Sequence, residues 1–219
     1  MNAEDLLLRR LIVFASGLIY WVGVGIQARR VRRHIGRSPN LKPRGRREKA
    51  LWFGWFVVIL GWLGQPLLVG GAATNPALSF FAGVPVRASF AVGLTLVVLG
   101  YAGTLLAYAA MGDAWRIGIS LKEKTALVIR GPYRWVRHPI YLFQIVMLLG
   151  VALLLPTPLS LGILAAHCLC VRIKARDEEK YLTTLHGEVY RDYLSRTGGL
   201  FPSWIRRRPR QTTKPVIDL

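Results

Sequence analysis

Five apolar runs, at 11–27, 51–73, 88–111, 139–155 and 159–171, contain no Asp, Glu, Lys or Arg at all. No other feature constrains the chain as strongly. A helix needs ~20 apolar residues to cross a bilayer core. Runs two and three reach that length, and runs one and four sit near its lower bound. Run five is short and is expected to leave the membrane as one continuous helix. Backbone facing lipid must satisfy its hydrogen bonds within the chain, which excludes open sheets and exposed loops. The expected fold is all-α: a multi-pass transmembrane bundle of about five helices with a cytoplasmic C-terminal amphipathic helix.

Charge then separates two readings. The 219 residues carry 30 Lys and Arg against 11 Asp and Glu, a net +19, although 53% are hydrophobic. A soluble basic protein presents such charge to nucleic acid. Here it is confined to the segments between the runs, so a membrane protein is the better fit and no nucleic-acid partner is expected. By the positive-inside rule, 28–49, 112–137 and 172–219 share the cytoplasmic side, while 74–87 and the Pro156-Thr157-Pro158 turn lie opposite. The N-terminus is then outside and the C-terminus cytoplasmic. Run one is not trailed by a small-residue cleavage site and reads as a retained helix. Three regions are expected: N-terminal membrane helices with a basic loop at 28–49, within 1–111; a cofactor-binding region with a helical hairpin, 112–203; and a basic, disordered tail, 204–219.

Gly54 and Gly61 lie seven apart on run two, and Gly93 and Gly100 repeat the spacing on run three. Two helical turns put each pair on one face, where small residues admit a neighbouring helix. Gly23, Gly25 and Ala28, with Glu48 twenty residues on, imitate a dinucleotide fingerprint. Their place inside a spanning run argues against a βαβ unit. Cys168 and Cys170 are two apart on an apolar helix and read as small buried side chains.

Chemistry concentrates at RGPYRWVRHPIYLF, residues 130–143. Arg134, Arg137 and His138 could anchor to lipid phosphates, and Tyr133, Trp135 and Tyr141 could form an interfacial aromatic belt. A second segment, VRIKARDEEKYLTTLHGEVYRDYLSRTGGLFP, follows run five. Leu182, Leu185, Val189 and Tyr193 recur at helical spacing, and Gly198, Gly199 and Pro202 are expected to end that helix. Extended backwards, the stripe carries Glu178, Lys174, Val171 and His167. Lys174 and Glu178 could be an exposed ion pair. His167 could be bonded to a helix carbonyl, although an ionisable group inside a membrane is a functional candidate. A short hairpin joins the two segments and must bring them together. Between them they could hold a small zwitterion, with cations for a carboxylate and Glu for an ammonium or hydroxyls.

LVIRGPYRWVRHPIY, a helical hairpin, and EEKYLTTLHGEVYRDYLSRTGGLFP together resemble the isoprenylcysteine carboxyl methyltransferase and phospholipid methyltransferase superfamily, over about residues 112–203. The resemblance implies an integral membrane enzyme that uses S-adenosylmethionine. It implies cofactor contacts at Thr125, Ala126, Leu127, Val128, Tyr133, His138, Pro139, Ile140, Tyr141 and Glu178, and no metal. Tyr141, His167, Lys174 and Glu178 would line the reaction chamber, with Lys174 orienting the acceptor and Glu178 positioning the cofactor. The cofactor would enter from the cytoplasm, and a lipophilic or lipid-anchored acceptor from the bilayer. The family's carboxyl methyltransferases have arginine four residues before the Glu pair, where this chain has Lys174. Lysine keeps the charge and loses bidentate carboxylate recognition. A membrane reductase of the sterol type, using NADPH, and a non-enzymatic protein binding anionic lipid are the alternatives.

Overall fold

The computed structural model describes residues 3–36, 45–69, 85–115 and 126–203, with positions 38, 39, 43, 77 and 83. The expected tail, 204–219, lies outside the described residues. Six helices carry the fold: α1 Ala3–Ile35, α2 Arg46–Leu68, α3 Val86–Met111, α4 Pro139–Leu154, α5 Pro158–His186 and α6 Glu188–Arg196. Short 3₁₀ turns at Gly112–Ala114 and Gly131–Arg134 link α3 to α4. Among the described residues the β pairing is a single parallel bridge, Val136 to Gly198. The helix α1, α2, the α3 stretch to Ala114, and α5 are long and apolar enough to cross a membrane, and α4 is a shorter apolar helix. The chain is an integral membrane, multi-pass helical bundle.

Two boundaries differ from the sequence reading. The helix α1 continues through the basic residues 28–35, because nothing there breaks it before Gly36, whose φ is 70°. Arginines also suit a helix C-terminus, where the carbonyls carry partial negative charge. Run five does continue as one helix out of its apolar stretch, but that helix ends at Gly187 rather than at Gly198. Gly187 takes φ 55° and donates its N–H to Thr183 O at 2.9 Å. With ψ −127° this is a conformation open essentially to glycine alone, because a Cβ would clash with the adjoining backbone there, and it turns the chain out of the helix. The break puts Val189 on the surface while Tyr190 and Tyr193 turn inward.

The glycine pairs lie where helices meet. A Cβ on Gly54 would come within 2.7 Å of Cys170 Sγ, and one on Gly61 within 2.8 Å of Ile163, so α2 lies hard against α5. On α3, a Cβ at Gly93 would meet Gly150 O at 2.9 Å, and one at Gly100 would meet Phe143 O at 2.7 Å. Here α3 and α4 are in backbone contact. Gly23, Gly25 and Ala28 lie inside α1, which removes the dinucleotide-fingerprint reading. Cys170 is buried under Gly54, and Cys168 is partly exposed.

The core joins Val13 and Tyr20 of α1, Val58 and Trp62 of α2, Val97 of α3, Met147, Leu148 and Val151 of α4, and Ile163 of α5. The outward faces remain apolar: Leu18, Ile19 and Val22 on α1, Phe53, Val57 and Leu60 on α2, and Val98, Leu99 and Leu106 on α3 are exposed. Apolar surface on this scale is a lipid-facing surface. Away from the α4 N-terminus, Arg9 is buried and clasps three helices. It donates to Ser89 Oγ at 3.2 Å and Leu154 O at 3.1 Å, pairs with Asp5 at 3.3 Å, and lies over the Phe90 ring.

Candidate active site

Pro139 starts α4. It lacks an N–H, which the first turn does not use, and its fixed φ suits the first helical position. His138 is left as the N-cap with φ −124°. The segment before it is held from the other side of the hairpin. Arg137 N–H donates to Gly198 O at 2.8 Å, and His138 N–H to Gly199 O at 3.2 Å. The Arg137 guanidinium donates to Glu179 at 2.8 Å and to the carbonyls of Leu194 and Thr197. Tyr193 donates to Tyr133 O at 2.6 Å. The two polar segments that flank the hairpin are thus tied together, as the hairpin argument requires.

His138 stands between two carboxylates. Its Nε2 is 3.1 Å from Glu179 and its Nδ1 is 3.5 Å from Glu178. Burial alone would lower its pKa. The hydrogen bonds and charges of Glu178 and Glu179 outweigh that and raise it above the ordinary 6.5. Tyr141, one turn further along α4, donates to Glu178 at 2.8 Å and stacks on the His138 ring. Lys174, one turn before Glu178, is buried and lies 3.8 Å from Glu48 of α2. It therefore pairs across helices, while its charge also acts on Glu178.

These groups face a cavity of 490 Å³, within the ~300–1,000 Å³ usual for small-molecule sites. Tyr133, Arg137, His138, Tyr141, Lys174 and Glu178 form its polar wall, together with Glu48, and Ile140 lies among them. Tyr20, Trp21, Trp52, Trp55, Phe56, Tyr108, Met111 and Trp115 form an aromatic wall, mostly from α1 and α2. Gln144, one turn beyond Tyr141, lies deeper in the same cavity and donates to Tyr20 Oη.

Of the residues singled out in the sequence, Tyr133, His138, Ile140, Tyr141, Lys174 and Glu178 come together on this cavity. Pro139 is buried beside it as the helix start. Ala126, Leu127 and Val128 are non-helical and lie outside the lining, and Thr125 falls outside the described residues. His167 is buried behind the wall, its ring edge-on to Trp55 at 4.8 Å. Neither of its ring nitrogens has a hydrogen-bond partner among the described residues, so the alternative of a bond to a helix carbonyl is not made, and His167 itself, expected to line the chamber, is not among the lining residues. Trp55 in turn stacks against Tyr141 at 6.3 Å.

Sequence reasoning missed Glu48, Gln144 and the aromatic wall. Glu48 had a signal, as the single carboxylate in the basic stretch 28–49. Gln144 had one too, as the lone amide in run four, three residues after Tyr141. Tyr20, Trp21 and Trp55 had none, because aromatics in an apolar run look the same whether they face lipid or a cavity.

Residues 92–184 match the model of the isoprenylcysteine carboxyl methyltransferase (ICMT) family. That stretch runs from α3 through α5 and includes His138, Tyr141, Lys174 and Glu178. It leaves out α1 and α2, which supply most of the aromatic wall. Two curated proteins are similar. The cobalt-zinc-cadmium resistance protein CzcN of Cupriavidus metallidurans is 31% identical over 109 residues, 49% of each chain. The nickel-cobalt-cadmium resistance protein NccN of Alcaligenes xylosoxydans xylosoxydans is 31% identical over 113 residues, 51% of this chain and 52% of its own. The chain spans about half the length of these relatives. Among the described residues, no three His, Cys, Asp or Glu side chains gather as a metal-ligating group.

Proposed function

We propose that the protein is a membrane methyltransferase that takes its methyl group from S-adenosylmethionine and gives it to a lipophilic acceptor. One observation carries the reading: the cavity joins the Tyr141–Glu178–His138 wall, on ICMT-like helices, to an aromatic wall within apolar helices. A zwitterionic cofactor fits the first wall and an apolar acceptor the second. Glu178, oriented by Tyr141 and His138, suits an ammonium or ribose hydroxyls. Arg137 and His138 supply N–H donors for a carboxylate, and Ile140 offers apolar surface for a base. When bound, S-adenosylmethionine supplies an electrophilic methyl group on a sulfonium.

The protein's own contribution is alignment and exclusion of water. Methyl transfer is an in-line displacement, for which held geometry is worth several orders of magnitude. The Tyr141 and Trp55 rings, 6.3 Å apart and inclined at 29°, restrict where an acceptor can lie. Lys174 and Glu48 place a donor and an acceptor of hydrogen bonds where the two walls meet. The aromatic side admits a molecule from the bilayer, and the polar side, on the cytoplasmic face by the charge bias, admits the cofactor.

The reading is tested with purified membranes containing the protein, methyl-tritiated S-adenosylmethionine and a lipid extract. Label passing into organic-extractable product, and absent with Glu178→Ala, supports it. Equal label from both forms rejects it.

A further inference from the structure

Glu48 is the carboxylate that α2 brings to the cavity, and it lies outside the ICMT-matched residues 92–184. Glu48, Trp52, Trp55 and Ile59 recur at three- or four-residue steps, so one face of α2 carries them, and all four line the cavity. The carboxylate thus stands at the edge of the aromatic wall, one turn before Trp52. Its side chain keeps 23% of its surface, so a cavity occupant can reach it. A tie between α2 and α5 does not account for it, because Arg47 and Asp177 already join the same helices at 3.0 Å.

Across from it, the Lys174 ammonium is 3.8 Å from Glu48 Oε1, too long for a hydrogen bond. A hydroxyl set against both groups would accept from Lys174 and donate to Glu48. Glu178 is placed differently: one of its oxygens accepts from Tyr141, and the other faces His138 at 3.5 Å. A carboxylate acceptor has no proton to lose, and Glu48 and Glu178 would both repel it. An aliphatic hydroxyl holds its proton too tightly for a carboxylate to help much. A phenol, at ~10 as in tyrosine, is far closer, and Lys174 beside it favours the developing phenolate. Its flat ring also suits packing against Trp52 and Trp55.

Resting on the methyltransferase reading, we propose that Glu48 is a catalytic base and that the acceptor is a phenol-bearing lipophile. The phenol O–H bond breaks and its proton passes to the Glu48 carboxylate. The phenol oxygen supplies the electron pair of the new bond to the methyl carbon. The carbon–sulfur bond of the sulfonium breaks, its electron pair stays on sulfur, and a neutral thioether results. Lys174 donates to the phenol oxygen throughout, and Glu48 later gives its proton to water on the polar side of the cavity.

The test uses the whole protein in nanodiscs with para-octylphenol and its ortho-nitro derivative, which is already ionised in mildly alkaline buffer. Without cofactor, the absorbance of the nitro probe reads its protonation state, with empty nanodiscs as the blank. Glu48→Gln is expected to lower the pH at which bound probe ionises by about one unit, because a neighbouring negative charge is removed while Lys174 stays. An unchanged midpoint overturns the proposal. With methyl-tritiated S-adenosylmethionine in the same buffer, Glu48→Gln is expected to slow transfer to octylphenol about hundredfold or more, the usual contribution of a general base. The loss on the ionised nitro probe should be at least tenfold smaller, and Glu48→Asp should recover part of the octylphenol rate. Equal loss on both probes makes Glu48 a positioning residue and overturns the base. Faster transfer by the unmodified protein to dodecanoic acid or dodecylamine than to octylphenol overturns the acceptor class, and that comparison needs no variant. S-adenosylmethionine binding is measured on the same nanodiscs. Binding with an unshifted probe midpoint removes this proposal alone, and no binding removes the methyltransferase reading beneath it.

Discussion

His138 binds two carboxylates through one ring, and its protonation state links the site to pH. Its folded pKa is raised above 6.5, with Glu178, Glu179, Arg137 and Tyr141 around it. The proton is therefore held more tightly in the fold than in the unfolded chain. The resulting stability is fully present below pH ~6.5 and is lost as pH rises through the raised folded value. Thermal melting in nanodiscs should show a midpoint that falls on that alkaline limb. His138→Gln should remove this part of the fall and lower the midpoint at acid pH. An unchanged pH profile in the variant would refute the role. At this scale the sequence was informative where residue type implied chemistry. His138, Tyr141 and Glu178 stand out because polar groups beside an apolar run need a reason. Lys174 was picked for the right face of α5, but its partner Glu48 is 126 residues earlier, and no local pattern joins them.

The elements are held by two different devices, backbone contact at glycines and a polar staple at the C-terminal end. Gly100 is the sharper test of the first. Its missing Cβ would lie 2.7 Å from Phe143 O and 2.8 Å from Met147 N, and helix backbone has little room to yield. Gly100→Ala should destabilise by about 1–3 kcal/mol through overpacking. Gly64→Ala, with nothing within 4 Å of the added carbon, should be neutral or stabilising. Melting of the pair in one detergent checks both, and equal effects would contradict the contact. The staple is Arg137, which joins α5, α6 and the loop after α6. Arg137→Ala should raise amide exchange over 188–199 at least tenfold, while α1–α3 stay protected. The glycine spacing was legible because close helix packing demands small residues. The end of α5 was misplaced because a heptad-like stripe ran through Gly187, and the stripe does not register one positive-φ glycine.

Across the whole molecule, a second polar clasp stands at the end of α4 far from the candidate site. His138 precedes the first residue of that helix, and the Leu154 carbonyl that Arg9 caps is its last, ~24 Å away at 1.5 Å per residue. Arg9→Met should lower the melting midpoint by several degrees, because the carbonyl and hydroxyl it serves lose their donor. Cofactor affinity should remain within about twofold, since distant sites are close to additive. The bundle as a whole was readable because lipid permits few alternatives to helices. The pairing of α1 and α2 with the α4–α5 hairpin was not, since apolar runs do not name their neighbours. The central claim is that this union makes a cofactor cavity. It is tested most directly by calorimetric titration of detergent-purified protein with S-adenosylmethionine and, separately, with NADPH, using Glu178→Ala as control. The account predicts micromolar binding of S-adenosylmethionine that Glu178→Ala abolishes, and no binding of NADPH. Binding of NADPH instead, or of neither, would contradict it.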